Sequence, residues 1–235
     1  MKVKLMSKPD LAPIRLERAC LAFTGTDLMV GLAVVSVLIA IGIVPVTTIR
    51  KQARLTLCSE NLHRITGAVL AESTDHNKAL PGAIPGTPGD LWWWYKEQIK
   101  PYLGASSANE HLFACPGDRG YSDPKPFHQT ARFDYGSYVY NGVTMPGVPN
   151  IAGWELGSIT DPRRTLLVME WTAHAPLSWH NSKTGIRNAP FYSNAQSVAG
   201  FVDGHVKFTK IYYDGYTAAF LRDPIPGYDY RYSGK

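Results

Sequence analysis

Polar and apolar positions change period along the chain, and each change predicts a different element. From Leu28 to Val46 there are nineteen residues without a charged side chain. At about 1.5 Å rise per residue a helix of this run approaches the ~30 Å thickness of bilayer hydrocarbon. Apolar and β-branched residues, with Gly31 and Gly42, lie all round that helix, which suits lipid better than a core helix with one apolar stripe. From Arg50 to about Asp75 the period persists but narrows. Leu55, Cys58, Leu62, Ile65 and Val69 recur at three- and four-residue spacing, while Lys51, Arg54, Glu60, Arg64 and Glu72 take other faces. The pattern predicts one long helix, apolar then amphipathic, kinked at Pro45 and ended near Asn77 and Pro81.

After the Pro-Gly loop at 81–89, the texture shifts to short elements. Leu91 to Leu103 predicts a short helix docked on the long one. Tyr135–Tyr140 and Thr165–Trp171 read as strands by their aromatic and β-branched content. Ser197–Val202 and His205–Ile211 flank Asp203-Gly204 and predict a hairpin with a two-residue type I′ turn. The expected fold class is therefore α+β, a long N-terminal helix packed against a small antiparallel-sheet head. A length of 235 residues with 45% apolar content supports one domain with a core plus an appended element, and no repeat is evident.

Charge changes the picture only at the N-terminus. Of the net +5, the first 22 residues hold +3, with Lys2, Lys4, Lys8, Arg15 and Arg18 against Asp10 and Glu17. A basic flank before an apolar run keeps the N-terminus cytoplasmic, and the remaining +2 gives no reason to expect a nucleic-acid partner. The segment at the end of the run, Pro45-Val-Thr-Thr-Ile-Arg50, offers no secretory cleavage signature. Asp27 stands at the mouth of the run, where a carboxylate needs a partner, a job or a place above the headgroup boundary.

Those residues carry a resemblance. Phe23-Thr24, Asp27, the apolar run and the continuing helix with Cys58-Ser-Glu-Asn-Leu62 resemble the prepilin-type cleavage and methylation segment of type IV pilins and type II secretion pseudopilins. Cys115-Pro116, Ser137-Tyr-x-Tyr-Asn141 and Phe201-Val-Asp-Gly-His-Val206 resemble the large pseudopilin-like proteins of planctomycete and verrucomicrobial genomes. The resemblance implies a leader at 1–22, a long helix at 23–76 spanning the membrane at about 28–46, and a pilin-like head at 77–235. It implies cleavage between Ala22 and Phe23 by a prepilin peptidase, and pairing of Asp27 with a neighbour's new α-amino group, which would set subunit register. The chain differs from the family pattern in Ala22 for glycine, Asp27 for glutamate, Gly25-Thr26 for an apolar pair and Ser193 for histidine.

With Cys20 in the leader, the mature chain would keep Cys58 and Cys115 on the outer side of the membrane, either bridged or as two buried thiols. His174, His180, His205, Glu170 and Asp203 form no recognisable ligand motif, so no metal and no cofactor are expected. Asp203, Gly204 and His205 are expected to serve the head's turn. Without a nucleophile elbow or a phosphate-binding glycine loop, no enzyme is expected. Trp92-Trp93-Trp94 fits helix-docking aromatics or a sugar- or interface-facing surface. The expectation is a single-pass subunit of a type II secretion or pilus-like filament in the inner membrane, its head periplasmic and its partners other pilin-like subunits. The alternative is an anchored, non-assembling binding protein that presents its aromatic head to a cell-surface polymer.

Overall fold

A computed structural model describes residues 24–83, 91–104, 111–121, 125–143, 145–174, 177–181, 191–215 and 221–235, without the side chains of 40–45 and 91. The expected leader and its cleavage point at Ala22 and Phe23 lie outside the described residues. Contacts divide the chain into two units, Met1–Thr47 and Thr48–Lys235.

One helix, α1, runs Gly25–Asp75 and continues through Pro45. Its N-terminus is closed locally. The Asp27 carboxylate accepts hydrogen bonds from the Thr24 amide (3.0 Å) and Thr24 hydroxyl (2.6 Å), and the Asp27 amide donates back to Thr24 Oγ1, a reciprocal capping box. At the other end Asn77 and Lys78 take left-handed angles (φ 56 and 65), and the Lys78 amide reaches Ser73 O at 2.7 Å, satisfying a carbonyl that the helix leaves open. In the first unit, Leu28, Met29, Val30, Leu32, Val34, Val35, Val37, Leu38 and Ile39 are all more than half exposed. Among the described residues no helix is long and apolar enough to cross a membrane; positions 40–45 of the apolar run fall among the side chains that are not described.

The second unit is an α+β head. Four antiparallel strands, β1 (Tyr138–Tyr140), β2 (Leu166–Glu170), β3 (Ala195–Phe201) and β4 (Val206–Ile211), lie in sheet order β1-β2-β3-β4. The edge strand β4 is partly exposed, while both faces of β1–β3 are buried. On one, Cys58, Leu62, Ile65 and Val69 of α1 join Tyr138, Tyr140, Leu167, Val168 and Val198. On the other, Val139, Leu166, Met169, Ala199 and Phe201 meet Ile225, Tyr230 and Tyr232 from the C-terminal segment. A register irregularity between Leu166 and Val168 lets Leu167 and Val168 both face the α1 side, breaking strict alternation as a bulge does. The close approach of α1 to β3 depends on Gly200: a Cβ there would collide with Thr66 Oγ1 and lie 3.3 Å from Val168 O.

The second helix, α2 (Leu91–Ile99), continues as a 3₁₀ turn to Leu103 and packs on β1, where the Tyr95 ring stacks on Tyr140 at 5.6 Å. The C-terminal segment is tied by main-chain bonds from Leu166 N to Arg231 O (2.9 Å) and Arg231 N to Arg164 O (2.8 Å).

Two sequence expectations change. The first strand starts at Tyr138, not Tyr135, because Asp134 and Tyr135 both adopt left-handed angles (φ 48 and 53) that no strand accommodates. The hairpin turn is not type I′, which needs positive φ at two central residues. Only Gly204 has it (φ 92). The Gly204 amide bonds Phe201 O, and the Phe201 amide bonds His205 O, both at 2.9 Å, so Val202, Asp203 and Gly204 form a three-residue turn with a glycine bulge.

Candidate functional site

The chemistry of the head concentrates where four segments meet under the sheet. Cys58 comes from the amphipathic half of α1, Cys115 from a turn before β1, Glu170 from the last position of β2, and His180 from the segment between β2 and β3. Cys58 and Cys115 are joined in a disulfide across 57 residues of sequence, with Cα atoms 5.0 Å apart. Glu170 continues the apolar strand Leu166-Leu-Val-Met and is fully buried. A carboxylate in such a place needs hydrogen bonds to both oxygens. His180 Nε2 donates to Oε1 at 2.7 Å and the Val198 amide to Oε2 at 2.8 Å.

The disulfide lies against this pair. Cys115 Sγ is 3.3 Å from Glu170 Oε1 and 3.6 Å from His180 Nε2, and the Gly117 amide points at the same sulfur from 3.3 Å. One sulfur from each cysteine, a Glu170 oxygen and a His180 nitrogen all fall within 4.8 Å of one another. The His180 ring occupies space that opens only because residue 117 lacks a side chain: a Cβ there would stand 2.6 Å from His180 Cε1. With both sulfurs bonded to each other, the donors left are Glu170 Oε1 and His180 Nε2, which are bonded to each other as well.

A second buried network supports the first. The Asp118 carboxylate accepts from Ser137 Oγ (2.8 Å) and from the amide and Nδ1 of His128 (both 3.0 Å), while Ser137 Oγ accepts from the Cys115 amide at 3.0 Å. In the Ser-Tyr-x-Tyr-Asn stretch, Ser137 thus holds the Cys115 turn and Tyr138 Oη donates to Cys58 O at 3.3 Å. Asn141 clamps Leu166 O and Tyr232 O from one amide group. These polar residues fasten segments together; in the sequence Ser137-Tyr-x-Tyr-Asn141 carried only the family resemblance. Nothing in the sequence pointed to Asp118 or His128.

The remaining sequence candidates sit apart from this cluster. His174 is buried against the Trp92 and Tyr232 rings (4.6 and 5.5 Å between ring centres), and burial pushes its imidazole down to about 3. Asp203 bonds the amide and Nδ1 of His205, whose ring stacks on Phe201 at 4.3 Å. Partial burial pushes the Asp203 carboxyl up, but the bonds from His205 and the charges of His205 and Arg163 hold it below the ordinary carboxylate range. Trp92, Trp93 and Trp94 are all partly buried, Trp93 with its edge against Phe133. Asp27 is exposed and engaged by Thr24. In comparisons with protein-family models, with curated proteins and with solved structures, nothing matches the chain.

Proposed function

We propose that the chain is a pseudopilin-like structural subunit, without enzymatic activity, of a type II secretion or type IV pilus-like filament. It enters the inner membrane through residues of about 28–46, with its N-terminus cytoplasmic and its head periplasmic, and is processed by a prepilin peptidase between Ala22 and Phe23. The observation that carries this reading is α1. A single helix of 51 residues joins a stretch of exposed apolar side chains, Leu28 to Ile39, to an amphipathic half buried in a sheet-rich head. Consecutive helical positions about 100° apart point in every direction, so the first stretch offers apolar surface all round. Such a surface fits lipid before assembly and neighbouring helices of the same kind afterwards. The membrane assignment rests on the sequence run, which includes positions 40–45.

Asp27 acquires a second role in this reading. In the monomer it caps its own helix through Thr24; in a filament it would pair with the α-amino group of a neighbouring subunit, the two charges offsetting each other's desolvation. Two substitutions separate these roles. Asp27→Asn retains an acceptor for the Thr24 bonds and removes the charge, whereas Asp27→Ala removes both. We expect both variants to insert and both to fail in crosslinked filament ladders. Ladders from Asp27→Asn equal to those of the parent would reduce Asp27 to a helix cap.

The first test is the N-terminus of membrane-extracted protein, read by mass spectrometry with and without a co-expressed prepilin peptidase. A new start at Phe23 is expected; an intact chain under both conditions would favour a permanent, non-assembling anchor.

A further inference from the structure

We propose that two-electron reduction of the Cys58–Cys115 bond turns the buried cluster into a zinc(II) site. Its four ligands are Cys58 Sγ, Cys115 Sγ, Glu170 Oε1 and His180 Nε2. The inference is independent of the filament reading.

Two thiolates, one imidazole and one carboxylate are a donor set that zinc accepts in tetrahedral geometry, at about 2.0–2.3 Å from each ligand. Here the four donor atoms already lie within 4.8 Å of one another in a region largely closed to solvent, so ligation needs rotations of side chains and no new fold. The surroundings hold the donors in place. The Val198 amide occupies Glu170 Oε2 and leaves Oε1 on the side of Cys115 Sγ and His180 Nε2. The Gly117 amide directs its N–H at Cys115 Sγ, a contact that supports a thiolate. The missing side chain at Gly117 admits the imidazole. Neighbours that fix a ligand's orientation in this way are what hold metal sites in shape.

Reduction without a metal would leave two thiols beside a carboxylate–imidazole pair in the core, with fewer good bonds than there are polar atoms. Zinc resolves that mismatch. In the first step a dithiol reductant gives two electrons and two protons to the bridge, breaking S–S, forming two thiols and becoming a disulfide itself. In the second, zinc displaces one proton from each thiol and takes the Nε2 lone pair of His180, whose proton moves to Nδ1 without net release. The bridge and the metal therefore exclude each other, and the surrounding redox poise selects between them.

The test uses the full chain in detergent micelles, with Cys20→Ser so that only two thiols remain, and cobalt(II) as a visible stand-in for zinc. The reduced protein should bind one equivalent of cobalt with sulfur-to-metal charge-transfer absorption, and zinc should displace it. The oxidised protein should show no such absorption. Glu170→Gln and His180→Ala should each weaken cobalt binding by about tenfold or more, as loss of even a supporting group does. If the reduced variants lose their fold, alkylation decides instead: zinc added before the reducing agent should protect Cys58 and Cys115 in the parent chain. Absence of charge-transfer absorption in the reduced parent would overturn the proposal, as would equal affinity in His180→Ala or no protection by zinc.

Discussion

Gly200 shows how much of the head hangs on an absent side chain. A Cβ there would collide with Thr66 Oγ1 and stand 3.3 Å from both Thr66 Cβ and the backbone Val168 O, so Thr66 must rotate away and the fit against β2 stays tight. Gly200→Ala should lower stability by about 1–3 kcal/mol, the usual range for overpacking, measured as a shift in urea midpoint with unchanged slope. Gly117→Ala acts on a softer neighbour, the His180 ring, and should instead break the bond to Glu170.

His174 makes the same point electrostatically. Its imidazole falls from an ordinary value near 6.5 to about 3 through burial. Between those values the unfolded chain binds a proton that the folded chain refuses, so stability is complete above the unfolded value and falls as pH drops through the window. The slope for one such group is about 1.4 kcal/mol per pH unit. His174→Phe keeps a ring against Trp92 and Tyr232 and should flatten the decline in urea midpoint between neutral pH and pH values near 5. An unchanged decline would assign the acid sensitivity to other groups.

Among elements, the disulfide ties α1 to the turn before β1 across 57 residues. On the chain-entropy account a loop of that length stabilises by about 4 kcal/mol, so the double variant Cys58→Ser/Cys115→Ser should lose about that much in chemical denaturation. A loss well below 1 kcal/mol would mean that the contacts of Leu62, Ile65 and Val69 already hold the helix in the unfolded ensemble's most compact states. α1 was legible because Leu55 to Val69 repeat at three- and four-residue spacing, and the β3–β4 pair because Asp203-Gly204 marks a turn between two strand-like segments. The turn between those strands was not legible, because Asp-Gly serves type I′ and glycine-bulge turns alike and only the backbone angle of Asp203 separates them. β2 was legible as a strand yet silent about its surroundings. Leu166 to Glu170 is buried throughout, and an uninterrupted apolar strand says that both faces are covered without saying by what. The cluster of Cys58, Cys115, Glu170 and His180 escaped for a related reason: its members come from four segments, and no local spacing records a meeting made by tertiary packing.

At the scale of the molecule, the two units differ in what they bury. Thr48–Lys235 holds the disulfide, both cores and the whole sheet. Residues 48–235 expressed alone should therefore stay monomeric without detergent and unfold in one cooperative transition, monitored by gel filtration and near-ultraviolet circular dichroism. Aggregation of that fragment would show that the head needs the preceding helix to fold. On the membrane reading the full chain needs detergent, because Leu28 to Ile39 leave apolar side chains uncovered.

The covering of the sheet's second face by Ile225, Tyr230 and Tyr232 also imposes an order in time. The apolar stripe of α1 leaves the ribosome early, but the last residues that close the sheet come after Val69 by roughly 160 positions, on the order of ten seconds or more at ordinary translation speeds. Throughout that interval Leu62, Ile65 and Val69 have no finished sheet to rest on. On the membrane reading the head would cross the bilayer as an open chain, and the segment with Ile225, Tyr230 and Tyr232 is the latch that ends its period of vulnerability.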